Sequence, residues 1–119
     1  MRLRADIWAA AYIRRCEIEG AVAVLRRRGA AEAGAIFVKV DRLDASGALY
    51  APAPQSEVSG RGVERLWARA HKDQWIESGE VEKRVQREIA FDPDLWLIEV
   101  EDRAGRHWLD LADEADARR

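Results

Sequence analysis

The chain has one cysteine, one methionine, three prolines and two histidines in 119 residues, and each scarcity removes a class of protein. A lone Cys16 excludes an internal disulfide and fits a reducing compartment. Cys16, His71 and His107 are too few and too scattered for the roughly four ligands that a zinc site takes. No apolar run approaches the ~20 residues a membrane helix needs. Arg2 and Arg4 precede an apolar patch, as in a secretion signal. However, Asp6 interrupts the patch and Arg14-Arg15 follow it closely, so no leader is expected and the cytoplasm is the expected location. There is no glycine-rich phosphate loop, no nucleophile elbow, no HExxH motif and no internal repeat.

What is present describes an ordinary globular protein, 48% hydrophobic and 35% charged. The length fits a single domain over residues 1–119, with 113–119 read as a frayed tail. The net charge of −2 conceals a gradient. Residues 1–42 hold nine Lys/Arg against five Asp/Glu, whereas residues 88–119 hold four Arg against ten Asp/Glu. Opposite ends of this kind attract each other within one molecule or between two.

Periodicity predicts an α+β fold: an N-terminal helix, a mainly antiparallel sheet of about five strands, and a second helix before the last long strand. Residues 2–19 read as the first helix, with Leu3, Ile7, Ala10, Ala11 and Ile18 on the apolar face and Gly20 as the stop. Arg14 falls in the middle of that face. Residues 21–27 form a short strand. In 35–42, Ile36, Val38 and Val40 alternate with Phe37, Lys39 and Asp41, the pattern of a half-buried strand. A turn at 44–47 leads to a returning strand at 48–51, ended by Pro52 and Pro54. Residues 55–62 are polar and read as a flexible loop, and 66–71 as strand or helix, with the alternation favouring a strand. Val81, Val85 and Ile89 mark a helix over 79–91 with Ser78 as its cap. Pro93 ends that helix by biasing Asp92 away from helical geometry. Residues 95–101 form a strand apolar enough to be central, with Trp96, Ile98 and Val100 on one face. Residues 107–111 form a short final strand.

Three groups of residues are candidates for a role. Asp92, Asp94, Glu99, Glu101 and Asp102 are a dense carboxylate group that would suit Mg²⁺, Mn²⁺ or Ca²⁺. The order of elements also loosely resembles restriction-endonuclease-like nucleases. Those enzymes need an acid two residues before a lysine on a strand, and Phe37 stands where that acid would precede Lys39. The carboxylates are therefore read as an ion-pair network with Arg14, in which Asp92-Pro93-Asp94 is a stop and cap. Arg26 and Arg28, on one face of a strand, together with Trp75 in a polar stretch, make a candidate interaction surface. Cys16 beside Arg14-Arg15 is a candidate for a lowered thiol pKa.

The motifs RRRGAAEAGAIFVKV, LYAPAPQ and IAFDPDLWLIEVEDRAGRHWLDL resemble a family of short alphaproteobacterial proteins, domain of unknown function 1491. The resemblance covers nearly the whole chain and implies a stand-alone bacterial cytoplasmic domain, with no activity, cofactor or catalytic residue to carry over. The expected function is a non-enzymatic binding or adaptor module. Its partner would be another protein or a second copy, docked on an exposed sheet edge with no cofactor, nucleic acid or membrane involved. The alternative is a divergent metal-dependent phosphodiester hydrolase.

Overall fold

The computed structural model describes residues 2–54 and 65–112; the loop expected at 55–62 and the tail expected at 113–119 lie outside them. Helix α1 (Ala5–Ile18) ends in a Schellman motif. Gly20 sits at φ 94°, its N–H bonds to the Glu17 carbonyl, and the Ala21 N–H reaches back to Cys16.

The buried face of α1 is Ala5, Ala9, Tyr12 and Cys16. This corrects the expected face. Leu3, Ile7 and Ile18 point outward at 51%, 50% and 75% exposure, and Arg14 lies exposed among them. Two stripes at helical spacing compete in this segment, one of large aliphatics and one of small and aromatic side chains. The second prevails because small residues let the helix lie close to the sheet, while its aromatics find partners there. Trp8 stacks on Tyr12, with centroids 4.8 Å apart, and leans on Trp67 at 4.6 Å. Tyr12 Oη donates to the His107 carbonyl at 2.7 Å.

The chain continues through β1 (Val22–Arg27), β2 (Ile36–Asp41), β3 (Ser46–Pro52), β4 (Trp67–Arg69), β5 (Ile76–Glu77), α2 (Ser78–Phe91) and β6 (Trp96–Glu101). These strands make a six-stranded sheet of order β1-β6-β2-β3-β4, with β5 paired to β3. Only the β2–β6 pair is parallel, from Ile36 opposite Trp96 to Asp41 opposite Glu101. The other pairs are antiparallel.

The two helices cover opposite faces of the sheet. Ile36, Val38, Val40, Trp96, Ile98 and Val100 pack with α1, whereas Phe37, Leu49, Leu95 and Leu97 pack with Val81 and Val85 of α2. Coverage on both sides explains why β2 is buried along nearly its whole length instead of half-buried. As expected, β6 is central, lying between β1 and β2.

Two local expectations are corrected. Ser78 is the first residue of α2 rather than its cap; Glu77 holds the cap position without a side-chain bond. Ser78 instead gives its N–H to the Ala45 carbonyl. Residues 107–111 do not form a strand; Leu111 makes an isolated bridge to Trp67, and the His107 ring lies 4.9 Å from that of Tyr50 in β3. That bridge, with the Trp67 N–H donated to the Asp110 carbonyl at 2.9 Å, occupies the outer edge of β4. The opposite edge, β1, has a bulge between Leu25 and Arg27. Bulges, arginines and short edge strands are devices that discourage strand addition.

Because α1 docks through its small residues, Ala9→Leu should overpack the interface and cost about 1–3 kcal/mol. Ile7→Asp should change stability by no more than about 0.5 kcal/mol. Urea midpoints at unchanged slope measure both, and the reverse ranking would mean that the helix docks by its aliphatic face.

Candidate functional site

On the α2 side of the sheet, strand alternation and the β2–β6 register set Lys39 beside Glu99. Lys39 is only 8% exposed, and a buried ammonium requires compensation. Its Nζ lies 3.0 Å from Glu82 Oε1 and 3.7 Å from Glu99. Arg26 closes the group from β1, with Nη1 at 2.8 Å from Glu82 and 3.0 Å from Glu99, and Nη2 at 2.9 Å from the second Glu82 oxygen. Gln86 Nε2 donates to that same oxygen. Two cations meet two carboxylates, so the group is neutral overall. The Arg26 hydrogen bonds hold the Glu82 carboxyl far below its usual range, aided by Gln86 and Lys39. Glu82 in turn raises the Arg26 guanidinium.

One step further toward the carboxyl ends of β2 and β6, Asp41, Glu99 and Glu101 converge. One oxygen from each lies within 4.8 Å of the others, and their chemistry would suit a hard divalent cation. The group is already partly engaged, because Asp41 Oδ1 accepts the Leu43 N–H at 2.8 Å and Glu99 accepts from Arg26.

The carboxylates expected to form one network with Arg14 occupy separate places. Asp92 Oδ1 accepts the Asp94 N–H at 2.9 Å and shapes the turn after α2. The Asp94 carbonyl receives the Ala30 N–H. Asp102 is buried and clasps Arg106 at 2.7 Å and its N–H at 2.8 Å, which lowers the Asp102 carboxyl. Glu99 and Glu101 join Asp41. Arg14 is exposed on the far side of α1, and among the described residues no ion pair reaches it.

Nor do Trp75, Arg26 and Arg28 form one surface. Alternation along β1 carries Arg26 to Glu82 on the α2 side, and the bulge between Leu25 and Arg27 breaks that alternation for the residues after it. Arg28 lies 5.2 Å over Trp96, whose ring belongs to the α1 side. Trp75 is half-buried, with the Arg42 guanidinium 4.4 Å from its ring. It also packs against the α1-side core and lies against Gly105, at φ 75°, where a Cβ would collide with the indole.

Cys16 is fully buried and burial pushes its thiol up, opposite to the lowered pKa for which its neighbouring arginines made it a candidate. His71 Nε2 accepts the Leu49 N–H at 3.0 Å while its Nδ1 faces the Asp73 carbonyl at 2.7 Å. These contacts require the neutral ring protonated on Nδ1. Sequence reasoning missed Glu82 and Asp41 as partners. The available signal was Lys39, a charged residue within an otherwise apolar strand.

Fold and site together define a small α+β protein whose mixed sheet carries a helix on each face and a charged seam beneath one of them. The family described as "Protein of unknown function (DUF1491)" matches residues 3–110, and the chain belongs to it. A crystal structure of a family member from Caulobacter crescentus is 39% identical with TM-score 0.74, covering 92% of this chain and 94% of that one. A solution structure from A. tumefaciens is 35% identical with TM-score 0.77, covering 93% and 95%. No curated protein matches the chain. The family has no assigned activity. Among the described residues no helix is long and apolar enough to cross a membrane.

Burial, foremost, lowers the His71 pKa from its ordinary value. The unfolded chain therefore binds a proton that the folded chain resists, so this contribution is complete above about pH 6.5 and is lost as pH falls below it. Stability followed by urea unfolding between pH 7.5 and 5 should decline, and His71→Gln should flatten that decline. An unchanged slope in the variant would contradict the assignment.

Proposed function

We propose that this protein is a small non-enzymatic binding module that docks a partner protein's helix along the outer face of α1. The carrying observation is the line of Leu3, just before α1, and Ile7 and Ile18 on it, each at least half exposed, with the opposite face of the helix buried. Exposed aliphatics in a row on one helix face are the usual anchors of helix-to-helix recognition.

Charge bears on which partner fits. Arg14 interrupts the apolar line, so an occupant needs a carboxylate opposite it. Arg4 and Arg15 flank the line on one side, Asp6 and Glu17 on the other. A second copy packed in parallel would set Arg14 against its own symmetry mate, and an antiparallel copy would set Arg4 beside Arg15. Burying the exposed halves of three aliphatic side chains is worth about 3–5 kcal/mol. Association costs about 4–15 kcal/mol. A partner must therefore add contacts of its own, which supports a different chain and a transient complex. The free, buried Cys16 supports a reducing, cytoplasmic setting, and the chain is read as one working domain.

A photo-cross-linking residue at position 7, expressed in the native host, should give an adduct of one defined mass that Ile18→Asp abolishes. The same residue at Lys83 on α2 should not. Adducts of twice the 13.5 kDa chain mass would replace the partner by a second copy, and identical adducts from both positions would overturn the docking face.

A second reading as a metal-dependent phosphodiester hydrolase is supported by the convergence of Asp41, Glu99 and Glu101 with Lys39 close by. It requires saturable Mn²⁺ or Mg²⁺ binding by calorimetry that Glu101→Gln weakens; without that heat the binding module stands alone.

A further inference from the structure

The α2 face of the sheet stays open toward the β1 edge. Along β1, Ala23 and Leu25 pack into the α1-side core, so alternation sends Val22, Val24 and Arg26 to the other face. Helix α2 packs there on Phe37, Leu49, Leu95 and Leu97, and it leaves Val22 and Val24 at 53% and 50% exposure.

Register builds two rows across this opening. In one, Val24 lies opposite Glu99 and Glu99 opposite Lys39; in the other, Val22 lies opposite Glu101 and Glu101 opposite Asp41. Arg26 and Lys39 offset the acids of the first row. The second row sets two half-buried carboxylates side by side, with oxygens of Asp41 and Glu101 within 4.8 Å of each other. Like charges this close repel until a cation joins them.

Apolar and anionic surface thus adjoin over three strands, a span of about 10 Å. An arginine side chain matches that surface, because its methylene stem lies on apolar groups while its planar fork takes carboxylate oxygens. A hydrated metal ion would use the carboxylates and leave the valines in water. The bulge between Leu25 and Arg27 discourages an added strand, so the occupant lies on the face and not along the edge.

We propose that this open face docks an arginine-bearing segment of another protein, with the arginine stem over Val22 and Val24 and its guanidinium between Asp41 and Glu101. The face shares no residue with the α1 docking face, so either can fail without the other. Its carboxylates are those a metal ion would also use, and the test separates the two occupants.

The probe is a synthetic peptide alternating arginine with valine, titrated into the full chain while backbone amide shifts are followed by NMR. A twin peptide carries citrulline, the neutral isostere, in place of arginine. Saturable shifts are expected at Val22, Val24, Asp41 and Glu101, with the twin binding about fivefold or more weakly. Glu101→Gln, which relieves the repulsion with Asp41, should weaken the arginine peptide by about fivefold, and Val22→Ser by about threefold. Equal binding of the twin, unchanged affinity in either variant, or shifts at Ile7 and Ile18 in place of Val22 and Val24 would each overturn the proposal. Equal shifts from Mg²⁺ would give the carboxylates to a metal, and the same shifts on concentrating the chain alone would give the face to a second copy; either result overturns it too.

Discussion

A lysine ammonium in the middle of a covered sheet constrains more of this fold than any other group. Lys39 sits between Val38 and Val40, both fully buried, and its charge cannot remain there without carboxylates at hand. Parallel pairing of β2 with β6 delivers Glu99 at the same register. The second acid, Glu82, comes from α2, so the helix must lie over this part of the sheet and in this rotation. Arg26, which alternation along β1 places on the α2 side, then balances the two acids. The order of the three strands, the seating of α2 and the guarded edge of β1 thus all serve one charge.

The opposite face follows a different rule. There α1 is held by shape, with Ala5, Ala9 and Cys16 allowing close approach and Tyr12 reaching the His107 carbonyl. Close docking by small side chains leaves the larger aliphatics with nowhere to go but outward. Exposed Leu3, Ile7 and Ile18 are a consequence of how the helix packs, and the proposed docking rests on the face they leave uncovered. The carboxylate group of Asp41, Glu99 and Glu101 likewise arises from register, since Asp41 faces Glu101 two positions beyond the Lys39–Glu99 pair.

Much of this architecture was legible in the chain. Gly20 as the stop of α1, the alternation in β2, the strand at Trp67–Arg69, the Asp92 turn and the central position of β6 all follow from local geometry, which acts over a few residues. The failures share a cause. The α1 segment has two amphipathic solutions, and periodicity ranks them by hydrophobicity, whereas packing distance selects the small face. Arg14 was assigned to the core through that same mistake. The partners Arg26, Lys39 and Glu82 are separated by tens of residues in sequence, so no spacing rule could bring them together.

The dependence of the fold on the Lys39 charge is open to a direct measurement: a double-mutant cycle on Lys39→Met and Glu82→Gln, read as unfolding free energy. Glu82→Gln alone should cost about 2 kcal/mol by leaving the buried ammonium under-compensated. In the Lys39→Met background it should cost much less, giving a coupling above about 1 kcal/mol. Costs that simply add, within about 0.5 kcal/mol, would show that α2 is seated by its apolar contacts alone and would contradict the account.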